Sequence, residues 1–331
     1  MKTTYPQKIA FTLAAALLLA GCASAQSPAD NDAAHTERDE VTVALDWLAQ
    51  PGNAGGIIAA QHLGYYEDAG LDVTIQPGGT DATSVKVVAG GGAQFGQEYI
   101  GQVLQARSQD IDLVALASGY QKSPSVYIFH DGQDIESVED FSGRTVYTQV
   151  ASPGWEYTVE HYGLTDVTGV QFTGSYAAFA QDERAVAQAY LTDTIAELED
   201  AGVETDSIEN PTNIDYGSSI FTTQELIDSD PELVSRFLQA TAKGWEYFGA
   251  NIDEVAEWIQ EFTPDQSIDD VIRSSESLKD FIWTGDAVEH GWGYISEDRI
   301  AEIYDLQVAQ GFIPDDESLL EGLWTTEYLT D

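Results

Sequence analysis

The chain has one cysteine and one methionine in 331 residues, and only 13 lysines and arginines stand against 57 acidic residues. Each scarcity excludes something. A single cysteine, Cys22, leaves no intrachain disulfide framework and no thiol-rich metal or redox motif. So few cations argue against nucleic acid as a partner, because phosphate binding needs clustered positive charge. The five histidines, His35, His62, His130, His161 and His290, show no helical zinc spacing and no adjacent carboxylate set, so neither a metal nor a cofactor is expected. Gly90-Gly91-Gly92 lacks the Lys-Ser/Thr of a phosphate-binding loop, and no Gly-x-Ser-x-Gly nucleophile elbow occurs. Beyond residue 21 no apolar run is long enough to cross a bilayer, and no repeat of solenoid period appears.

What is present is ample core material. Hydrophobic residues make up 43% and aromatics 11% of the chain, so a formal charge of −44 does not signify disorder. The acid excess reads as a solvated surface suited to a halophilic, acidic proteome, since the Debye length shrinks to about 3 Å at 1 M salt. At the N-terminus, Lys2 and Lys8 flank the start of an apolar run, Ile9 to Ala20, closed by Gly21-Cys22. That pattern resembles a lipoprotein signal peptide over residues 1–21, with Cys22 lipidated and residues 22–40 a small, polar, acidic tether. An ordinary secretory signal with a chance cysteine is the plainer alternative. Either reading implies export, and the lipoprotein reading places the protein in the cell envelope, with a membrane anchor through Cys22 held outside the cytoplasmic membrane.

Strand-like and helix-like segments alternate along the rest. Strands are expected at 41–47, 71–75, 93–97, 113–118 and 125–129, with helices near 57–63 and 82–89. A second block follows: strands at 144–150, 170–173 and 185–190, helices at 155–162, 176–181 and 192–201. The last third is helix-rich. There Asp230-Pro231-Glu232 combines an N-cap, a proline at the first helical position and an acid on the positive end. Leu233, Phe237, Thr241, Trp245 and Phe248 then recur on one face. Such alternation predicts α/β architecture with mostly parallel sheets flanked by helices.

Three segments carry a resemblance: Val43-Ala44-Leu45-Asp46-Trp47, Asn53-Ala54-Gly55-Gly56, and Gly64-Tyr65-Tyr66-Glu67-Asp68-Ala69-Gly70-Leu71-Asp72-Val73. With Ala93-Gln94-Phe95-Gly96 and Val186-Ala187-Gln188-Ala189-Tyr190, they resemble ABC-importer solute-binding proteins of the thiamine-pyrimidine-synthase-like and sulfonate-nitrate superfamily. The resemblance implies a two-lobed periplasmic-binding-protein (type II) fold with two crossover strands. Lobe one would comprise 41–128 and 218–331, and lobe two 129–217. It also implies a small-molecule ligand between the lobes, ABC-importer permease subunits as partners, and a monomer that carries its ligand without altering it.

Ligand-binding candidates follow from strand ends, where open α/β sheets expose their crevice. Asp46 and Trp47 would supply a carboxylate and an indole wall. Asn53 and Gly55 precede a helix where small residues admit a ligand to backbone N–H groups. Gln97, Glu98 and Tyr99 follow the third strand, and Tyr120 sits in a hinge-side turn. Trp155, Glu156 and Tyr157 open a second-block helix, while Tyr176 and Tyr190 are further aromatic candidates. Each also has a plainer reading as core aromatic, helix cap or packing turn. Aromatics beside three acids, with no arginine in any proposed motif, point to a planar nitrogen heteroaromatic. A thiamine-precursor aminopyrimidine leads; riboflavin, or a sulfonate- or nitrate-type anion, is the alternative. Relatives that bind the thiamine pyrimidine carry histidine where this chain has Ala54. That difference, together with the lone Cys22, speaks against a pyrimidine-synthase-like enzyme.

Overall fold

The computed structural model describes residues 38–329, apart from 80–82, 149, 151–152, 174, 193, 195–197 and 199–200. The expected signal peptide, Cys22 and nearly all of the expected tether lie outside the described residues, as does most of the helix expected at 192–201. The first described strand, β1 (Asp39–Ala44), starts two residues ahead of the expected boundary, and Arg38 pairs with Glu67 at 2.9 Å.

Among the described residues, ten strands form two five-stranded sheets of the same design. In the first, β1, β2 (Leu71–Gln76), β3 (Phe95–Glu98), β4 (Leu113–Ala117) and β10 (Ser219–Thr223) lie in the order β2-β1-β3-β10-β4. In the second, β5 (Ser125–His130), β6 (Thr145–Thr148), β7 (Thr168–Gln171), β8 (Val186–Tyr190) and β9 (Thr205–Glu209) lie in the order β7-β6-β8-β5-β9. Each sheet holds one reversed strand: β10 runs antiparallel to β3 and β4, β5 antiparallel to β8 and β9. These two strands follow the chain's two passages between sheets. The passages run side by side, with the Tyr120 N–H donating to the Gly217 carbonyl at 3.0 Å.

Both faces of each sheet are covered, as mostly parallel sheets require. Along β4, Val114 and Leu116 enter one core while Leu113 and Ala115 enter another. Along β5, Tyr127 and Phe129 alternate with Val126 and Ile128 in the same way. Two helices position the site from one face of the first sheet. Helix α1 (Pro51–His62) starts with proline at its first position, and its Asn53 side chain accepts a hydrogen bond from the Gln50 N–H at 2.9 Å. Helix α2 (Pro231–Ala250) is capped by Asp230, which accepts from the Leu233 N–H at 3.0 Å. Its buried face carries the five residues named above.

The sequence placed the start of α1 six residues too late, reading Gly55-Gly56 as the residues that open it. Both glycines are helical and buried. A Cβ on Gly55 would come within 2.6 Å of the Phe248 ring, and one on Gly56 would enter the Trp245 indole. The glycines let α1 lie directly on α2.

Candidate functional site

A cavity of about 560 Å³ opens where the carboxyl ends of β1, β3, β7 and β8 converge between the two sheets. Asp46 and Trp47 follow β1, Glu98 ends β3 and Tyr99 comes next, and Tyr120 leaves β4. Phe172 and Tyr176 follow β7, while Tyr190 ends β8. Of the candidates from the sequence, Asp46, Trp47, Asn53, Glu98, Tyr99, Tyr120, Tyr176 and Tyr190 border this one space.

Six rings border it, and two of them meet across the sheets. The Tyr99 and Tyr190 hydroxyls lie 3.0 Å apart, one from each sheet's loops. Burial raises both phenols above their ordinary range, so each stays a neutral donor and acceptor. The Tyr176 hydroxyl donates to the Gln188 carbonyl at 3.2 Å, and the Phe172 ring leans on Tyr176 at 4.8 Å between centroids. Trp47 is 46% exposed, a large ring left in water at the rim of an aromatic cavity.

The two acids divide the work. Asp46 accepts from Asn53 Nδ2 at 2.8 Å through one oxygen and from Ser218 Oγ at 2.6 Å through the other. It ties the loop after β1 to α1 and to the returning passage. Ser218 itself sits at φ 47, a left-handed conformation that a serine rarely holds without such an anchor. Glu98 is less engaged: one oxygen accepts from the Tyr99 N–H at 3.2 Å, and the other lies 3.4 Å from Ser84 Oγ. Burial, reinforced by the charge on Asp46, pushes the Glu98 carboxyl up to about 7. Among the described residues, no lysine, arginine or histidine borders the cavity. Arg273, next to the lining Ser274, is ion-paired with Asp270.

Five expected residues fall elsewhere. Gly55 packs on Phe248, as described. Gln97 is wholly buried, because the two-residue alternation of β3 turns it away from Glu98; its Nε2 donates to the Asn53 carbonyl at 2.7 Å beneath α1. Trp155, Glu156 and Tyr157 belong to a helix, Pro153–His161, whose successive residues turn about 100° apart. Trp155 packs toward the Phe141 cluster and lines a different cavity, Glu156 is exposed, and Tyr157 stacks on His161 at 4.8 Å. Ala54 is fully buried in the core on α1, so that position does not border the cavity.

Sequence reasoning missed Gly52, Phe172, Gln188, Ser218 and Leu278 on the cavity wall. For Phe172 a signal existed, an aromatic just beyond a parallel strand. Leu278 arrives from the C-terminal helices and had none.

Two comparisons place this architecture. The structure resembles the periplasmic aliphatic sulphonate binding protein SsuA of Escherichia coli, with a TM-score of 0.68 and 14% identity over 88% of this chain and 94% of that one. It also resembles the desulfurization enzyme DSZB, with a TM-score of 0.59 and 14% identity over 88% and 98% of the two chains. These likenesses establish the two-lobed periplasmic-binding-protein fold. In sequence, a formylaminopyrimidine-binding protein of Halalkalibacterium halodurans is 28% identical over 265 residues, covering 75% of this chain and 76% of its own. The riboflavin-binding protein RibY of Chloroflexus aurantiacus is 26% identical over 294 residues, covering 81% and 79%. A family model described as NMT1/THI5 like matches residues 52–255, which span α1, both passages between the sheets and all of α2. The chain belongs to the NMT1/THI5-like family.

Proposed function

We propose that the protein is an extracytoplasmic solute-binding protein that captures a planar nitrogen heteroaromatic of the thiamine-precursor aminopyrimidine class. The observation that carries this is the cavity wall itself: six aromatic rings, two carboxyls and, among the described residues, no cation. Flat rings supply stacking area, and Glu98 accepts a hydrogen bond from an exocyclic amine. The two sequence relatives' names, a formylaminopyrimidine binder and a riboflavin binder, support a heteroaromatic over an anion. A sulfonate or nitrate would meet Asp46 and Glu98 with nothing to offset their charge. In this reading the two sheets are lobes that close on the ligand and present it, unchanged, to an ABC-importer permease, while a lipid on Cys22 holds the protein at the membrane.

Calorimetric titration with N-formyl-4-amino-5-aminomethyl-2-methylpyrimidine, riboflavin and an alkanesulfonate tests it. Saturable one-to-one binding of the pyrimidine without turnover, and none of the sulfonate, is expected. Preference for the sulfonate, or conversion of the pyrimidine, refutes the reading. Trp47→Ala should weaken pyrimidine binding at least about tenfold, an indole's worth of stacking, whereas Glu156→Ala should leave it unchanged.

Glu98 gives binding a pH dependence of definite sign. An amine donor needs the carboxylate, and a group titrating at about 7 is mostly protonated at pH 6 and mostly ionised at pH 8. Affinity should therefore rise about tenfold between those pH values as binding displaces the proton. Glu98→Gln should flatten the profile. An equally steep profile in that variant would remove Glu98 from the contact.

A further inference from the structure

A second cavity, of about 300 Å³, lies against the first and shares Tyr99, Gln188 and Tyr190 with it. The tyrosine pair whose hydroxyls meet at 3.0 Å is thus the partition between two chambers. Their chemistry differs sharply. The second chamber has walls from both sheets' elements and sets side-chain amides, among them Gln102, Gln105, Asn210, Asn213, Gln307 and Gln310, beside apolar side chains such as Trp155, Leu306 and Phe312. No lysine, arginine or histidine borders it among the described residues, and its single carboxyl, Asp215, is engaged. Asp215 accepts from the Ile100 and Gly101 N–H groups at 3.1 and 2.7 Å, capping the helix Ile100–Arg107 from across the fold.

Each amide presents both a donor and an acceptor, as a hydroxyl does. Several are held in place with capacity to spare. Gln105 Nε2 donates to Gln307 Oε1 at 2.9 Å, leaving the other half of each amide uncommitted in that bond. Asn210 is the most committed, its Oδ1 accepting from the Thr212 N–H and Oγ1 at 3.1 and 2.8 Å and its Nδ2 donating to Ser125 Oγ at 3.2 Å, whereas Gln310 Nε2 donates to the Thr212 carbonyl at 3.1 Å and no bond to its Oε1 is seen among the described residues. The side chains of Gln102 and Asn213 make no hydrogen bond among the described residues. An anion finds no cation here, and an ammonium finds no unengaged carboxylate. A neutral, hydroxylated chain finds a partner at every step, in a volume at the small end of ligand pockets.

We propose that this chamber is a subsite for an uncharged polyhydroxyl chain carried by a ligand whose ring occupies the aromatic cavity. The inference rests on the heteroaromatic reading above and extends it from the bare aminopyrimidine to heteroaromatics that carry such a chain. The chain crosses the partition by exchanging the Tyr99–Tyr190 hydroxyl contact for bonds to its own hydroxyls.

The test compares riboflavin, which bears a ribityl chain, with lumiflavin, the same ring system bearing a methyl group, by calorimetric titration. Riboflavin should bind at least tenfold more tightly. Gln307→Leu should erase most of that advantage while leaving lumiflavin affinity within twofold. Gln102→Ala with Asn213→Ala should do the same, and removes no hydrogen bond seen among the described residues, so folding is not at issue. Equal affinity for the two flavins overturns the chain subsite and leaves the heteroaromatic reading standing. Binding of the formylated aminopyrimidine but neither flavin also overturns the subsite alone. Failure of all three probes to bind overturns both.

Discussion

Asp46→Ala should lower the affinity for the heteroaromatic ligand about a hundredfold and destabilise the protein by about 2 to 4 kcal/mol. The carboxylate serves two donors at once, Asn53 Nδ2 and Ser218 Oγ, and both of those residues are buried. Hydrogen bonds to a charged acceptor are each worth about 1.5–3 kcal/mol, and donors stranded in the interior add a cost of their own. A protein of this size loses roughly 2–4 °C of melting temperature per kcal/mol, so calorimetry should show a fall of at least about 4 °C. The affinity loss follows from the same bonds. They hold the loop after β1, the start of α1 and the Ser218 passage in place before a ligand arrives. Once they are gone, binding must order those segments, and about 3 kcal/mol of ordering corresponds to about a hundredfold in affinity. Asp46→Asn separates charge from geometry. An amide can accept from only one of the two donors, so part of the loss should remain. Without the Asp46 charge, Glu98 titrates closer to the ordinary carboxylate range, and the rise of affinity with pH should move to lower pH. Unaltered affinity in both variants would remove Asp46 from the organisation of the site.

That division of labour marks how far the sequence could be read. The ends of β1 and β3 were legible because parallel strands point their carboxyl ends at the crevice, which made Asp46-Trp47 and Glu98-Tyr99 candidates; Tyr190 had the plainer reading of a core aromatic. Their roles were less so. Asp46, expected to receive the ligand's N–H groups, is engaged by Asn53 and Ser218, while Glu98 holds the less committed carboxylate. Which side of a helix faces a cleft was not legible, and Glu156 was therefore placed on the wrong side. β9, Thr205–Glu209, escaped notice because it is a polar edge strand with three exposed residues; β10, Ser219–Thr223, was not read as a strand either. The second chamber was invisible for another reason. Its amides come from residues 102 to 310, and nothing local marks a glutamine as facing a cavity.

Gly55-Gly56 shows the same limit from the other side, and gives the largest expected effect on stability. Gly244→Ala should unfold the protein at markedly lower temperature, although alanine is the better helix former by about 1 kcal/mol. Gly244 sits in the middle of α2 where α1 crosses it. A Cβ there would drive into the Gly56 carbonyl oxygen, and would stand 2.7 Å from Ala60 Cβ and 2.8 Å from Ala60 N. Two of those atoms are backbone, so no rotamer change relieves the contact and the helices themselves must part. Overpacking that side chains can absorb costs typically 1–3 kcal/mol; a backbone-to-backbone clash should cost at least about 3 kcal/mol, which outweighs the propensity gain. Functional consequences should accompany it. α1 carries Asn53, whose side chain binds Asp46 and whose carbonyl receives Gln97 Nε2, so a displaced α1 loosens the cavity wall through both bonds. Melting temperature and pyrimidine affinity should therefore fall together in Gly244→Ala. A melting temperature equal to or above that of the parent would mean that the two helices lie farther apart in solution than this crossing places them. The glycines of α1 would then need another explanation.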